Sequence, residues 1–407
     1  MTFIEPVQAS TNCCAATMSF DAAQAILAVH ARPLGIERVP PAKAGRRVLA
    51  EPVHARVDAP RFDAAAMDGF AVREADIALP RFRVVGCAYP GEPCAADIGP
   101  GEAIRIMTGA RMSAGAGRVL VREQVAETDG WIAPTHAPTA KRHVRARASD
   151  MAAGGLVLTA GRTLDSRALL VAAAADVDSV SVWRRPRVAV IASGDELVAP
   201  GAAANTRDRL PDCLSEALLL MVRQHGGVPV RATLVPDTAT AITAAATASD
   251  DCDLLVMAGG ASRGDRDFAR LGLAPLGLEI AFADVAIKPG KPVWYGRVGD
   301  RHVLGLPGNP TAAMTIARLF LVPLLRTLGG QPGAGLDWTS APLLAPLPET
   351  GPRESLLCAE RQGDGVRVIE RQSASAQLML ARADVLVRRP AHGAALAAGA
   401  LVPVLRF

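Results

Sequence analysis

Apolar residues recur at helical spacing over residues 19 to 31 (SFDAAQAILAVHA), with Ser19 placed to cap the helix and Arg32-Pro33 to stop it. A second short helix is expected over 46 to 57, interrupted by Pro52, and from there to about 150 short alternating runs separated by Gly and Pro predict a β-rich segment. Helical spacing returns over 163 to 177 (TLDSRALLVAAAADV), so the helices near 20 to 50 and 165 to 178 are expected to pack together around an inserted β domain. From residue 187 the pattern changes. RVAVIAS is a near-continuous apolar strand, followed by a helix capped by Asp212 that runs to about Gly226. VPVRATLV (228 to 235), an alanine-rich helix begun by Asp237, and DLLVMAGG (253 to 260) repeat the unit, which implies a parallel sheet with right-handed crossovers. After LPGNP a helix is expected over 311 to 328, with Asn309 as N-cap and Pro310 at its first position. Residues 331 to 350 read as a Pro- and Gly-rich linker. The short runs SLLCAER, VRVIE, DVLVRR and LVPVLRF after it predict a small β-barrel.

Length and composition agree with several ordered domains. The chain has 407 residues, 50% of them apolar and 21% charged, which disfavours a long disordered tail. The net charge of +4 implies no general polyanion surface, and two basic clusters (Lys141, Arg142, His143, Arg145 and Arg147; Arg184, Arg185 and Arg187) read first as solvated faces. Seven cysteines without a C-x-x-C spacing give no zinc signal and suit a reducing cytoplasm. The first 18 residues lack a basic start and an apolar core, so a disordered tail is expected rather than a secretory signal. No window of 18 unbroken apolar residues stands out, and neither a membrane nor a nucleic acid is expected as partner.

The chemistry gathers where the predicted strands end, the usual ligand edge of a parallel sheet. Asp195 and Glu196 in SGDEL suit either a divalent cation or the start of a helix. Asp237 after Pro236 reads by itself as an N-cap. Asp265 and Asp267 follow a Gly-Gly-x-Ser-x-Gly run, in which glycines admit a phosphate and carboxylates hold the magnesium bridged to it. Lys288 and Lys291 in IKPGKP form a rigid cationic turn suited to an oxyanion. Pro292 stands where a Walker A loop needs Ser or Thr, and dehydrogenase, zincin and α/β-hydrolase signatures are absent from the sequence. The start of the 311 to 328 helix is a candidate anion site. Asp68-Gly69 in AAMDGFAV reads by itself as a hairpin turn, and IRIMTGA ends at Thr108-Gly109.

Taken in order, AAMDGFAV, IRIMTGA, SGDEL, PD, GGASRGDRD, IKPGKP and LPGNP resemble the molybdopterin molybdenumtransferase family, the MoeA and gephyrin E-domain type, from about residue 20 to 407. The resemblance implies a multi-domain α/β fold. Its parts are a helical linker domain (19–54 and 151–183), an inserted β-rich domain (55–150), an adenylyltransferase-like three-layer α/β domain (184–330) and a C-terminal β-barrel (331–407). It implies a homodimer that inserts molybdate into adenylylated molybdopterin with magnesium and releases AMP. Glu196, Asp237 and Asp267 then hold the metal, with Asp195 beside them, and Lys288 and Lys291 serve the molybdate end. Asp68, Thr108 and Asp150 join the catalytic set from the insertion. Gly194, Gly259, Gly260, Ser262, Gly264, Pro292, the turn Pro307, Gly308, Asn309 and Pro310, and Ser375 contact substrate. A molybdopterin adenylyltransferase and recipient molybdoenzymes are the partners implied.

Three departures fall at the site. Ala148-Ser149 replace a Gly-Glu pair before Asp150, Cys213 and Leu214 replace Ser-Asn after Asp212, and Ala312 replaces a small hydroxyl residue. Each lost hydrogen bond to a buried oxyanion is worth about 1.5 to 3 kcal/mol. They keep open a catalytically weakened paralogue that binds or scaffolds the cofactor.

Overall fold

A computed structural model describes residues 17–137, 139–259, 268–333 and 335–407. The chain divides into two compact units: one takes the chain up to Ile36 together with Trp183–Phe407, the other Glu37–Val182. Of the 18 residues expected as a disordered tail, the first 16 lie outside the described residues, whereas Met18 is held in the fold by a bridge to Val285 and by the Ala286 N–H donating to its carbonyl at 2.7 Å.

The first unit is built on a six-stranded sheet. Its strands are β1 (Arg187–Ser193), β2 (Val228–Val235), β3 (Leu254–Ala258), β4 (Leu278–Ala283), β5 (Trp294–Val298) and β6 (Arg301–Leu306), in the order β2-β1-β3-β6-β5-β4. The pairs β1/β2, β1/β3 and β3/β6 are parallel, while β5 pairs antiparallel with both β6 and β4. Val188, Val190, Leu254 and Val256 bury into one core, and Ala189, Ile191, Leu255 and Met257 into another, so both faces are covered and the strands read as continuous apolar runs. The chain leaves β1 for β2 on one side and returns to β3 on the other, which places a switch point at their carboxyl ends.

The helices on the first face are α1 (Phe20–His30), α2 (Ser215–Gln224) and the run α5 (Pro310–Ile316) to α6 (Val322–Leu328). On the second lie α3 (Ala239–Thr247) and α4 (Phe268–Leu273). Ser19 caps α1 as its sequence predicts, accepting from the Ala22 N–H at 3.2 Å. The apolar face of α1 (Phe20, Ala23, Leu27) is buried in the first core with Phe320 and Leu324, so its packing partner is α6 rather than the helix near 165. Between α5 and α6 the helix widens to a π-turn over Ala317–Leu321. Pro323 has no N–H to give the Leu319 carbonyl four residues back, and the Gln24 side-chain amide of α1 donates to that carbonyl instead, at 2.8 Å. The run Pro310–Leu328 is long and apolar enough to cross a membrane, but 83% of its most apolar window is buried inside the protein, as in a core helix.

The C-terminal strands carry a second six-stranded sheet in this unit, Ile287–Lys288, Glu354–Gln362, Val385–Arg389, Leu401–Arg406 and Thr339–Pro342 in that order, with Gly365–Val368 on Glu354–Gln362. The stretch 331 to 350, expected as a linker, thus contributes a strand. Its Pro and Gly residues flank Thr339–Pro342, whose register on Leu401–Arg406 needs no N–H from Pro342 beyond the strand end.

In the second unit a six-stranded sheet runs Arg118–Val121, Gly69–Val72, Glu102–Ile106, Phe82–Ala88, Trp131–Pro134, Val125–Thr128. A separate core gathers Leu49, Val53, Leu158 and Leu164 with Ala168 and Ala172 of the helix Ser166–Ala174, which Asp165 caps through the Ala168 N–H. The helix expected over 46 to 57 does not form. Val53–His54 is a short strand paired with Leu156–Leu158, and Val53 and Ala55 are buried around an exposed His54: a period of two, not 3.6, with Pro52 removing a helical donor. Asp68-Gly69 is likewise not a hairpin turn. Gly69 opens a central strand paired on both sides, and a Cβ there would lie 2.0 Å from the Leu120 carbonyl oxygen, so glycine is needed for close approach.

Candidate functional site

The carboxyl edge of the first sheet opens into a cavity of about 770 Å³ lined by the ends of four strands. From β1 come Ala192, Ser193 and Glu196, from β2 Asp237, from β3 Ala258 and Gly259, and from β6 Pro307, Gly308, Asn309 and Pro310. Pro292, the segment Leu210 to Leu214, Ser375 and Gln377 complete the wall. Gly259 has φ +95°, and a Cβ on it would stand 2.5 Å from the Ser193 carbonyl oxygen; one on Gly308 would lie 3.6 Å from the Gly259 Cα. Gly259 therefore needs glycine, both for its backbone and for its close approach to the end of β1, whereas at Gly308 a Cβ would make only ordinary contact.

No helix follows SGDEL, so helix capping does not account for its carboxylates. Leu197 N–H closes a turn on the Gly194 carbonyl, and the Asp195 carboxylate accepts from the Asp237 N–H at 3.1 Å, tying the β1 and β2 ends together. Glu196 lines the cavity. Asp237 is not the N-cap of α3 either: Thr238 is, accepting from the Ala241 N–H at 3.3 Å, so the Asp237 carboxylate is released to the cavity. Leu214, not Asp212, holds the N-cap position of α2, and Asp212 supports the helix start from two residues earlier, accepting from the N–H groups of Leu214 and Ser215 at 3.1 Å each. The cavity wall so holds three carboxylates (Glu196, Asp212, Asp237) and, among the described residues, no Lys, Arg or His. Gly260, Ser262, Gly264, Asp265 and Asp267 lie outside the described residues.

Asn309 occupies the N-cap position of α5 with Pro310 at its first turn, as the sequence predicts, but its side chain makes no capping bond and faces the cavity wall instead. The helix start is not open to an anion. The Thr311 and Ala312 N–H groups both donate to the Ala374 carbonyl, at 3.0 and 3.3 Å, and the Thr311 hydroxyl donates to the Ala376 carbonyl at 3.1 Å. Ala312 is 2% exposed. Those bonds hold the segment carrying Ser375 and Gln377 at the cavity, where the Gln377 amide donates to Cys213 Sγ at 3.6 Å. Burial pushes the Cys213 thiol up from its ordinary value. Gln377 and Ser193 are cavity residues that motif reading missed; the position of Ser193 as the last residue of a strand at the ligand edge is the signal that could have found it.

Lys288 and Lys291 are exposed, and the turn between them holds Gly290 at φ +100°. Lys288 lines a separate cavity of about 300 Å³ with Thr350, Arg353, Ser355 and Arg389, and Lys291 is not in the wall of the larger one, whereas Pro292 is. In the second unit Asp68 and Thr108 come together: Asp68 Oδ1 accepts from both the N–H and the hydroxyl of Thr108, each at 2.7 Å. Those bonds, the backbone one first, hold the Asp68 carboxyl below the usual range. Asp150 is exposed, its N–H on the Ala59 carbonyl, and Ala148 before it sits in the left-handed region at φ +58°. Of the basic clusters, Arg147 pairs with Asp58, Arg184 with Asp253 in two-pronged fashion, and Arg187 with Asp251, which leaves them structural.

Residues 18–175 match the family model of the MoeA N-terminal region (domain I and II), and residues 189–327 match that of a probable molybdopterin binding domain. Fold and cavity therefore define a multi-domain α/β protein that pairs a MoeA-type N-terminal region with a domain of the molybdopterin-binding class. A molybdopterin molybdenumtransferase of Synechococcus elongatus is 33% identical over 362 residues, covering 85% of this chain and 88% of the relative. That of Nostoc sp. is 33% identical, covering 70% of this chain and 68% of its own. The crystal structure of the molybdopterin biosynthesis moea protein from Pyrococcus horikosii superimposes with a TM-score of 0.80 at 29% identity, covering 96% of this chain and 99% of that one. The chain belongs to the molybdopterin molybdenumtransferase (MoeA) family.

Proposed function

We propose that this protein acts in molybdenum cofactor biosynthesis as a molybdopterin molybdenumtransferase: it inserts molybdate into adenylylated molybdopterin and releases AMP. The observation that carries the reading is the cavity at the switch point, whose described wall is acidic and without cations. A nucleotide-linked phosphate cannot settle beside Glu196, Asp212 and Asp237 unless a cation neutralises the charge between them. Among the described residues no cluster of three His, Cys, Asp or Glu side chains is placed to hold a metal by itself. Two carboxylates facing one cavity fit magnesium, which keeps water and takes substrate phosphate as ligand. Glu196 and Asp237 would hold it, with Asp267 as the further carboxylate the sequence offers, and bound there it would offset phosphate charge and polarise the anhydride link. Asp195 fixes the backbone of Asp237, and Gly259 and Gly308 leave room for the substrate's close approach.

The roles of Lys288, Lys291, Asp68, Thr108 and Asp150 in the reaction are part of the same proposal and rest on the family resemblance. So do a cytoplasmic homodimer, delivery of substrate by a molybdopterin adenylyltransferase and transfer of product to recipient molybdoenzymes. The domain division follows it too, with a helical linker, a β insertion, an adenylyltransferase-like three-layer domain and a C-terminal barrel. The isolated parallel bridge from Leu343, the residue just after Thr339–Pro342, to Val366 of Gly365–Val368 supports closure of that barrel.

A second reading, a cofactor-binding or scaffold paralogue with weakened turnover, is favoured by Leu214 in the cavity wall and by Ala312, whose N–H is already taken. Titrating magnesium against AMP release tests the first reading. Asp237→Asn should raise the magnesium needed for half-maximal rate by about 10- to 100-fold. Equal magnesium dependence in that variant removes Asp237 from the cation site.

A further inference from the structure

The C-terminal sheet sets three polar side chains in one row. Lys288 of Ile287–Lys288 lies opposite Ser355 of Glu354–Gln362, and Ser355 lies opposite Arg389 of Val385–Arg389. Partners in register share a face of the sheet, so ammonium, hydroxyl and guanidinium stand on the same side. All three line the cavity of about 300 Å³, and Arg353, two residues before Ser355, joins them in its wall. Arg389 is 2% exposed and Ser355 9%. Among the described residues the Arg389 guanidinium makes one hydrogen bond, from Nη2 to the Ala394 carbonyl, and the Ser355 hydroxyl makes none. The sealed, unpartnered side-chain atoms of the described residues include neither Ser355 Oγ nor an Arg389 nitrogen, so these free donors keep accessible surface where they border the cavity. No acid answers Arg389: burial pulls its pKa down and nothing raises it. A buried guanidinium without a counter-charge is unfavourable, and native proteins pair such groups. Glu349, the carboxylate in this wall, is exposed and faces three cations, which leaves the cavity two positive charges in excess.

We propose that this cavity binds a tetrahedral oxyanion of double negative charge, held by the guanidinium groups of Arg389 and Arg353, by the Ser355 hydroxyl as a neutral donor, and by exposed Lys288. The planar fork of an arginine matches two oxygens of such an anion, and a hydroxyl fills the donor position between two cations. The site lies apart from the acidic cavity, with which it shares no lining residue, and it does not depend on the transferase reading. Molybdate, sulfate and phosphate share this chemistry.

The test titrates molybdate, sulfate and phosphate, each alone, into the full chain by calorimetry, and repeats the titrations with Ser355→Ala, Arg353→Gln and Asp237→Asn. The unaltered protein should take up at least one of the three at a single site per chain, and the tightest of them tells which anion the cavity selects. Ser355→Ala and Arg353→Gln should each weaken that binding about tenfold or more, because each removes a hydrogen bond to a charged group. Asp237→Asn, in the separate acidic cavity, should change it by less than about twofold. Failure of all three anions to bind overturns the site, and so does equal affinity in the Ser355→Ala and Arg353→Gln variants. Binding that tightens severalfold in Asp237→Asn would place the anion in the acidic cavity and overturn the assignment as well.

Discussion

Ala148 sits at φ +58° immediately before the Ser149-Asp150 pair. An L-residue there is strained by about 1 to 2 kcal/mol, while glycine adds roughly 0.4 to 1 kcal/mol of unfolded-state entropy, so Ala148→Gly should stabilise the protein by about 0.5 to 1 kcal/mol. Urea unfolding measures this, and a lower midpoint in the variant would show that the turn relaxes around the alanine. The sequence alone suggested a changed function at this position because glycine is usual there, whereas the backbone gives a plainer local effect. Asp237 is the opposite case. Its sequence context favours a helix cap, and only the hydrogen bond from Ala241 to Thr238 reveals that the cap lies one residue later and the carboxylate is free for the cavity. Single-residue offsets of this kind are invisible in the pattern, because Asp and Thr are both good caps.

Elements were more legible than their ends. β1 begins and ends where its apolar run does, since a parallel strand covered on both faces leaves an unbroken hydrophobic signature, while β2 lies at the sheet edge, half-exposed and interrupted by Arg231. The segment 46 to 57 was misread because Val48, Leu49, Val53 and Ala55 satisfy a loose helical spacing as well as a strand one, and tertiary pairing with Leu156–Leu158 decides between them. The start of α5 was legible as a cap but not as a filled one, since its partner, the Ala374 carbonyl, lies more than 60 residues away in sequence. Thr311→Val should therefore loosen the 374–377 segment by about 1 kcal/mol, seen as several-fold faster amide exchange there with little change in the central strands. Unaltered exchange in that segment would mean that the two backbone bonds suffice.

At the scale of the molecule, the strand pair β5 and β6 carries a buried Tyr295–His302 contact, 2.7 Å from Oη to Nδ1, on the sheet that positions the site. Burial first, and then the nearby Arg297, lower the His302 pKa to about 4. The unfolded chain takes up this proton near pH 6.5 and the folded one does not, so His302 favours the fold above that pH. Its contribution falls by roughly 3 kcal/mol as the pH is lowered from about 6.5 to about 4. Thermal unfolding across that range should show the slope, and His302→Gln should flatten it; an unchanged slope would assign the acid sensitivity to other groups.

The central claim concerns turnover by the whole protein. Purified protein with adenylylated molybdopterin and magnesium should release AMP only when molybdate is added, and the product should activate a molybdoenzyme that lacks its cofactor. Tight binding of the adenylylated substrate without molybdate-dependent AMP release would contradict the transferase account and make the chain a binding or scaffold member of its family.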